Sequence, residues 1–205
     1  MVTKFHELEI ASVTRETPDA VSLTFAVPPE LAAEYAFHPG QYLTLRAEID
    51  GADTRRSYSL CSAPGEPLRV GVKRVEGGRF SSFATTRLRP GDRLQVLPPQ
   101  GRFGVTPGGA HRYLMLAAGS GITPVLSLLR TVLEQEPESR ITLLYGNRDT
   151  ASIMFLEELE DLRDRHLGRF SLHHVLSRES QDVELLHGRL DPARHGRGEA
   201  AALDH

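Results

Sequence analysis

Gly119-Ser120-Gly121-Ile122-Thr123-Pro124 joins a continuous apolar run to an amphipathic one. Glycines at a strand-to-helix turn let a ligand approach the backbone closely. The free N–H groups and positive dipole end of the following helix then suit a phosphate. The run reads G-x-G-x-x-P, so the full dinucleotide fingerprint G-x-G-x-x-G is not met, and a bare tight turn explains it equally well. Ser120 on such a turn is also a candidate nucleophile. A nucleophile elbow, G-x-S-x-G, would need glycine at 118 and 122, where Ala118 and Ile122 stand. His173 and His174 fall inside a strand pattern and supply no convincing triad partner. Hydrolysis is the weaker reading.

A second cluster lies upstream. Arg55-Arg56-Ser57-Tyr58-Ser59 packs cations, an aromatic ring and hydroxyls into five residues, and Gly77-Gly78-Arg79-Phe80-Ser81-Ser82 opens a short helix with another phosphate-ready end. Clusters of this kind are commonly plain surface. Two phosphate-suited turns and an aromatic face in one chain point instead to two ligands meeting at a domain boundary.

Two kinds of element must position these groups. Up to about residue 106 the apolar residues alternate with period two, as in Val21, Leu23, Phe25 and Val27, in Leu43, Leu45, Ala47 and Ile49, and in Leu68, Val70 and Val72. Weaker runs at Leu8–Val13, Arg56–Leu60 and Arg93–Leu97 bring the strand count to about six, separated by Gly/Pro turns, which suggests a small closed antiparallel barrel or sandwich, of which a six-stranded β-barrel is the expectation taken. One helix is expected at Ser81–Leu88. Beyond Thr106-Pro107-Gly108-Gly109 the pattern changes. Tyr113–Ala118 reads as a strand buried on both faces, and Ile122, Val125, Leu126, Leu129, Val132 and Leu133 keep helical spacing, with Thr123 as N-cap and Pro124 as first helical residue. Strand Arg140–Tyr145, helix Ser152–Arg165 and strand Phe170–Leu176 follow, so the second part is a doubly wound parallel α/β unit. The expected organisation is a domain at 1–106, an incomplete second one at 112–191, and a disordered tail at 192–205. Glu157, Glu158, Glu160, Asp161 and Asp164 read as a solvated helix face, and Met154 and Phe155 as core.

Composition narrows the classes. The 205 residues carry a formal charge of -3, which gives no electrostatic footprint for nucleic acid. No run approaches the roughly 18 apolar residues of a membrane span, and Met1–Ile10 has no apolar targeting core, so the expected location is the cytoplasm. The single cysteine, Cys61, excludes an internal disulfide, a Cys₄ zinc site and a Cys-ligated iron–sulfur cluster, and no other metal site is expected. On a strand Cys61 would share a face with Ser59 and pack near any ligand there.

Arg56-Ser57-Tyr58-Ser59 resembles the R-x-Y-S flavin motif of the ferredoxin–NADP reductase superfamily. Pro39-Gly40-Gln41-Tyr42, Gly78–Ser81 and Pro98-Pro99-Gln100-Gly101-Arg102-Phe103 occur in that family's order, and Ala118–Pro124 is similar to its pyridine-nucleotide motif. With Tyr145-Gly146-Asn147-Arg148 and Leu185–Asp191, the chain from about His6 to Asp191 resembles the reductase components of phenylacetyl-CoA epoxidases. The resemblance implies an FAD-binding FR-type barrel followed by a nucleotide-binding unit. It implies hydride transfer from NADPH, with NADH open, to FAD, and an iron–sulfur protein or oxygenase component as acceptor. Arg56 would pair with the FAD pyrophosphate, Tyr58 would lie against the flavin ring and Ser59 near its hydride-accepting atom. Gly78, Arg79, Phe80 and Ser81 would cradle the pyrophosphate, with the Ser81 hydroxyl helping. Val72 and Lys73 would line the ribityl chain, and Gly119, Gly121, Thr123 and Pro124 would place the nicotinamide nucleotide. Tyr58, Ser59 and Thr123 would thus be the residues at the reacting rings. Arg148 and Arg178 would grip a 2′-phosphate, while Asp149 could instead serve the ribose hydroxyl of NADH.

The chain departs from the family in two places. Nothing after Asp191 resembles the family's C-G-P motif, and there is no segment resembling the cysteine-rich [2Fe–2S] ferredoxin domain of the epoxidase reductases. The expectation is a truncated reductase without its own cluster. A stand-alone ferredoxin- or flavodoxin–NADP reductase and a flavin-binding fragment without turnover remain as alternatives.

Overall fold

The computed structural model describes residues 4–179 together with His187 and Gly188. The expected tail at 192–205, and most of the run from Leu185 to Asp191, lie outside the described residues. Strands β1 (His6–Thr17), β2 (Ala20–Ala26), β3 (Tyr42–Ile49), β4 (Ala52–Ser59), β5 (Leu68–Lys73) and β6 (Arg93–Val96) form one antiparallel sheet in the order β4-β3-β6-β1-β2-β5. The two edge strands meet through a single bridge, Leu60 to Val70, and a bond from the Cys61 N–H to the Arg69 carbonyl at 2.9 Å. The expected barrel is therefore closed at one point rather than along a full ladder. The alternation does what its period demands: Val21, Leu23, Phe25, Leu43, Leu45, Val70 and Val72 fill one core with Leu8, Ile10 and Phe80.

The helix α1 (Arg79–Thr86) starts two residues before the expected Ser81, because Gly78 stands at its N-cap. In the second half β7 (Arg112–Ala118), α2 (Ile122–Gln135), β8 (Arg140–Asn147), α3 (Leu156–Arg165) and β9 (Phe170–Leu176) build a parallel sheet in the order β7-β8-β9. Buried residues of both helices share one core with Ile141, Leu143 and Tyr145 of β8. The strand β7 is not covered on both faces as its apolar run suggested. Met115 packs on that core while Leu114 is 50% and Leu116 55% exposed. The helix α3 begins at Leu156 rather than Ser152. A 3-10 turn at Thr150–Ser152 precedes it, and Phe155, at φ 58°, breaks the helical path between them. Among the described residues no helix is long and apolar enough to cross a membrane.

The halves are tied together by side chains whose roles no local pattern reveals. Glu158 of α3, read from sequence as part of a solvated face, receives both contacts of the Arg69 guanidinium at 2.8 Å. Arg130 of α2 bridges Glu158 and Glu66. The Ser127 hydroxyl donates to the Ser62 carbonyl at 2.7 Å, and Lys73 Nζ donates to the Ser152 carbonyl at 3.3 Å. Cys61 is a packing residue, as expected, but β4 ends at Ser59 and Cys61 sits in the second core beneath α2 and α3. Its thiol is pushed up to about 12 by burial. Ser22, an outward position of β2, is buried as well, with its hydroxyl on Glu16 at 2.6 Å.

Candidate functional site

The loop Glu76-Gly77-Gly78 turns β5 into α1, and no side chain caps the first turn of that helix. Its orphan N–H groups stay available to an acceptor from outside. Ser81, by contrast, is already committed. Its hydroxyl oxygen accepts from the Val75 N–H at 3.1 Å and its proton goes to the Gly78 carbonyl at 3.2 Å. It shapes the turn, and the backbone is left to hold a ligand. A Cβ at Gly78 would lie 2.5 Å from Ser81 Oγ, so the turn closes only with glycine there.

Beside this turn a cleft of about 510 Å³ is lined by Arg56, Tyr58, Ser59, Gly71, Lys73, Gly78, Phe80 and Ser81 from the antiparallel half, and by Ser120, Gly121, Thr123 and Pro124 from the parallel half. Along β5 the period of two turns Gly71 and Lys73 into the cleft and Val72 into the barrel core, where it is fully buried. Of the two residues expected beside the ribityl chain, Lys73 therefore turns its side chain to the cleft, whereas Val72 turns its side chain away from it. Arg79 is exposed at the start of α1 and does not line the cleft. Tyr58 stands 5.7 Å from the Phe80 ring, tilted by 40°, and burial pushes its phenol up to about 12. It is a neutral aromatic surface at any ordinary pH.

The nucleotide turn has its own geometry. Gly119–Gly121 form a 3-10 turn that runs straight into α2, so the N-cap is Gly121 and not the expected Thr123. Thr123 lies one residue inside the helix, and its hydroxyl donates to the Ser120 carbonyl at 3.0 Å. Pro124 comes one residue later, still within the first turn, where its missing N–H costs nothing. Gly119 has φ 50°, and the Tyr145 hydroxyl holds its carbonyl at 2.9 Å. A Cβ built at Gly119 or Gly121 would meet nothing within 4 Å, so the turn faces open space.

That space is a second cleft of about 540 Å³, lined by Lys73, Gly119, Ser120, Asn147, Arg148, Ser152 and Ser177 among others. Lys73 and Ser120 belong to both clefts, which therefore run into one another. Arg148 is exposed on this cleft and 3.4 Å from Asp19. Burial works against the Asp19 carboxylate, but the hydrogen bond from Thr17 and the charges of Lys73 and Arg148 hold it below the ordinary range. Arg178 is exposed but does not line the cleft, and Glu179 accepts from the Thr150 N–H at 2.8 Å and its hydroxyl at 3.0 Å. Asp149 caps the Thr150–Ser152 turn. Sequence reasoning missed Gly71 as part of the site and Asp19 as the carboxylate paired with its Lys73 and Arg148. A glycine inside a strand pattern was the available signal for close approach; for Asp19 there was none.

An open aromatic face, a cation and uncapped amides fit a flavin nucleotide on the barrel side, while the two glycines that leave room for a ligand lie on the side of the parallel half. A second nucleotide fits there. The chain belongs with the oxidoreductases built from an FAD-binding domain followed by an NAD-binding domain, and its fold is ferredoxin reductase-like. Residues 7–104 match the oxidoreductase FAD-binding domain and residues 115–195 the oxidoreductase NAD-binding domain. It is 50% identical over 194 residues to a component of the 1,2-phenylacetyl-CoA epoxidase of Escherichia coli (strain K12), covering 93% of this chain and 54% of that protein. To the ferredoxin reductase component of 3-ketosteroid-9-alpha-monooxygenase of Rhodococcus rhodochrous it is 41% identical over 173 residues, covering 82% of this chain and 48% of the relative. Among solved structures, phthalate dioxygenase reductase, described as modular for electron transfer from pyridine nucleotides to [2Fe–2S], superposes with a TM-score of 0.69. That pair shares 30% identity over 83% of this chain and 51% of the other. The chain spans about half the length of the curated relatives it matches.

Proposed function

We propose that the chain takes a hydride from NADPH onto FAD and passes the electrons one at a time to an iron–sulfur acceptor, of the kind that serves an oxygenase in phenylacetate breakdown. The observation that carries this reading is the junction of the two clefts at Lys73 and Ser120, with the aromatic face of Tyr58 on one side and the glycine turn on the other. FAD would supply the two-electron acceptor and one-electron donor that no side chain here provides. Arg56 and the first-turn amides of α1 would hold its pyrophosphate, and Tyr58 would cover the ring. Ser59 would present its hydroxyl at the ring edge. The backbone of Gly119 and Gly121 would receive the coenzyme phosphates, with Thr123 and Pro124 walling the place where the two rings meet. NADPH would become NADP⁺, and the proton left after the second electron departs would go to solvent.

Arg148, half exposed on the coenzyme cleft, supports NADPH through its charge. A second reading, NADH, draws on the carboxylates of Asp19 and Glu179 near the same rim, which would repel a 2′-phosphate. The test is the absorption spectrum of the purified protein with added FAD, before and after anaerobic NADPH or NADH. Uptake of FAD and rapid bleaching by NADPH are expected; a colourless protein sinks the proposal, and a yellow one that neither coenzyme bleaches is a flavin carrier only. Arg148→Glu with Arg178→Glu should raise the KM for NADPH and leave that for NADH nearly unchanged. Equal effects on the two would refute NADPH as the preferred donor.

A further inference from the structure

The two halves come closest where β5 passes the first turn of α2. Gly71 pairs with Ser22 in the sheet and lies between Val70 and Val72, both buried. Its φ lies outside the left-handed region, so the backbone does not demand glycine. Space does. A Cβ at position 71 would fall 2.6 Å from Thr123 Cγ2, 3.1 Å from Met154 Cε and 3.1 Å from Phe155 Cζ.

None of the three neighbours yields freely. Thr123 is β-branched, with a stiff χ1, and its hydroxyl is tied to the Ser120 carbonyl. Phe155 is held at φ 58° with the Arg69 guanidinium 5.3 Å from its ring centroid, and Arg69 is in turn clamped by Glu158. Met154 is fully buried. A methyl group at 71 must therefore push the nucleotide turn back. Reaching ordinary contact from 2.6 Å takes a retreat of roughly 0.8 Å.

We infer that Gly71 is a positioning residue. Having no side chain, it sets how near Thr123 and the nucleotide turn stand to Tyr58 and Ser59 across the shared cleft, and hence how closely the two rings approach. This rests on the hydride-transfer reading above. A misplacement on the order of 1 Å in such a pair costs up to about a hundredfold in rate.

The test uses Gly71→Ala, Thr123→Ser and the double variant. For Gly71→Ala the expectation is a protein that still takes up FAD, and whose reoxidation by ferricyanide after photoreduction slows far less than its reduction by NADPH. Its limiting rate of anaerobic reduction by NADPH should fall about ten- to a hundredfold. The long-wavelength charge-transfer absorbance seen on mixing coenzyme with the FAD-loaded protein should fall with it. Adding Thr123→Ser removes the obstructing methyl, so the double variant should reduce at the rate of Thr123→Ser alone. A Gly71→Ala protein reduced within twofold of wild type, or a double variant as slow as Gly71→Ala, overturns the inference. Should Gly71→Ala fold poorly, the melting temperature decides: Thr123→Ser must raise it in the double variant, and no rise overturns the inference too. A wild-type protein that neither coenzyme reduces would instead defeat the hydride-transfer reading, a separate result visible before any variant is made.

Discussion

Glu158→Ala removes the one carboxylate shared by the two arginines that clasp the halves together. Arg69 loses two hydrogen bonds of 2.8 Å, and Arg130 keeps only Glu66. A hydrogen bond to a charged group contributes about 1.5–3 kcal/mol. The side chains involved are about a fifth to a third exposed, so water screens part of the loss and refills part of the gap. Arg69 also retains its stack on Phe155. The expected net cost is about 2–3 kcal/mol, which for a chain of this size lowers the melting temperature by about 5–10 °C. Thermal melts at neutral pH followed by far-ultraviolet circular dichroism read this directly. Glu157→Ala, one position along and exposed, is the control and should stay within about 0.5 kcal/mol of wild type. High salt should narrow the gap between Glu158→Ala and wild type only slightly, because partly buried pairs are weakly screened. If Glu158→Ala melts with Glu157→Ala and wild type, the clasp contributes nothing and the argument built on it is wrong.

Tyr58→Ala should weaken FAD binding about tenfold and change the visible flavin spectrum, since it takes away the aromatic face beside Phe80; unchanged affinity and spectrum, measured by fluorescence titration, would count against stacking. Glu16 is held above the ordinary carboxylate range chiefly by burial, which outweighs the hydrogen bond from Ser22 and the charge of Arg69, while Glu158 pushes the same way as burial. Its folded-state pKa exceeds the unfolded one, so the unfolded chain ionises first as pH rises past about 4.5, and stability falls until the folded-state value is passed. Glu16→Gln should therefore raise the melting temperature at pH 7 and leave it unchanged near pH 4; a gain at pH 4 equal to that at pH 7 would contradict this.

Most strands and helices were legible because each half repeats one period. Two residues per turn of the pattern built β2, β3 and β5, and the 3.6 period built α2, within a few residues at every boundary. The misses cluster where one half touches the other. The start of α3 slipped because Phe155 adopts a left-handed backbone that its own sequence does not favour, and the surrounding contacts hold it there. Ser22 and Gly71 fall between the alternating apolar residues, on the face away from the barrel core, yet are buried, since period alone says which face a residue takes and not what covers that face. Leu114 and Leu116 erred the other way, as an apolar run says that burial is favoured and not that a partner is present.

The sequence by itself determined the element types, the two glycine turns and the Arg56–Ser59 cluster, because these depend on local backbone chemistry and on spacing within a few residues. Tertiary structure alone decided that Lys73 and Ser120 belong to both clefts and that Val72 faces inward while Gly71 and Lys73 face the ligand space. It also made Glu158 a clasp rather than a solvated charge, pairing it with Arg69, which lies 89 residues away in the chain. Contacts at such separation leave no period and no local spacing to read; they exist only once two independently patterned halves are packed face to face.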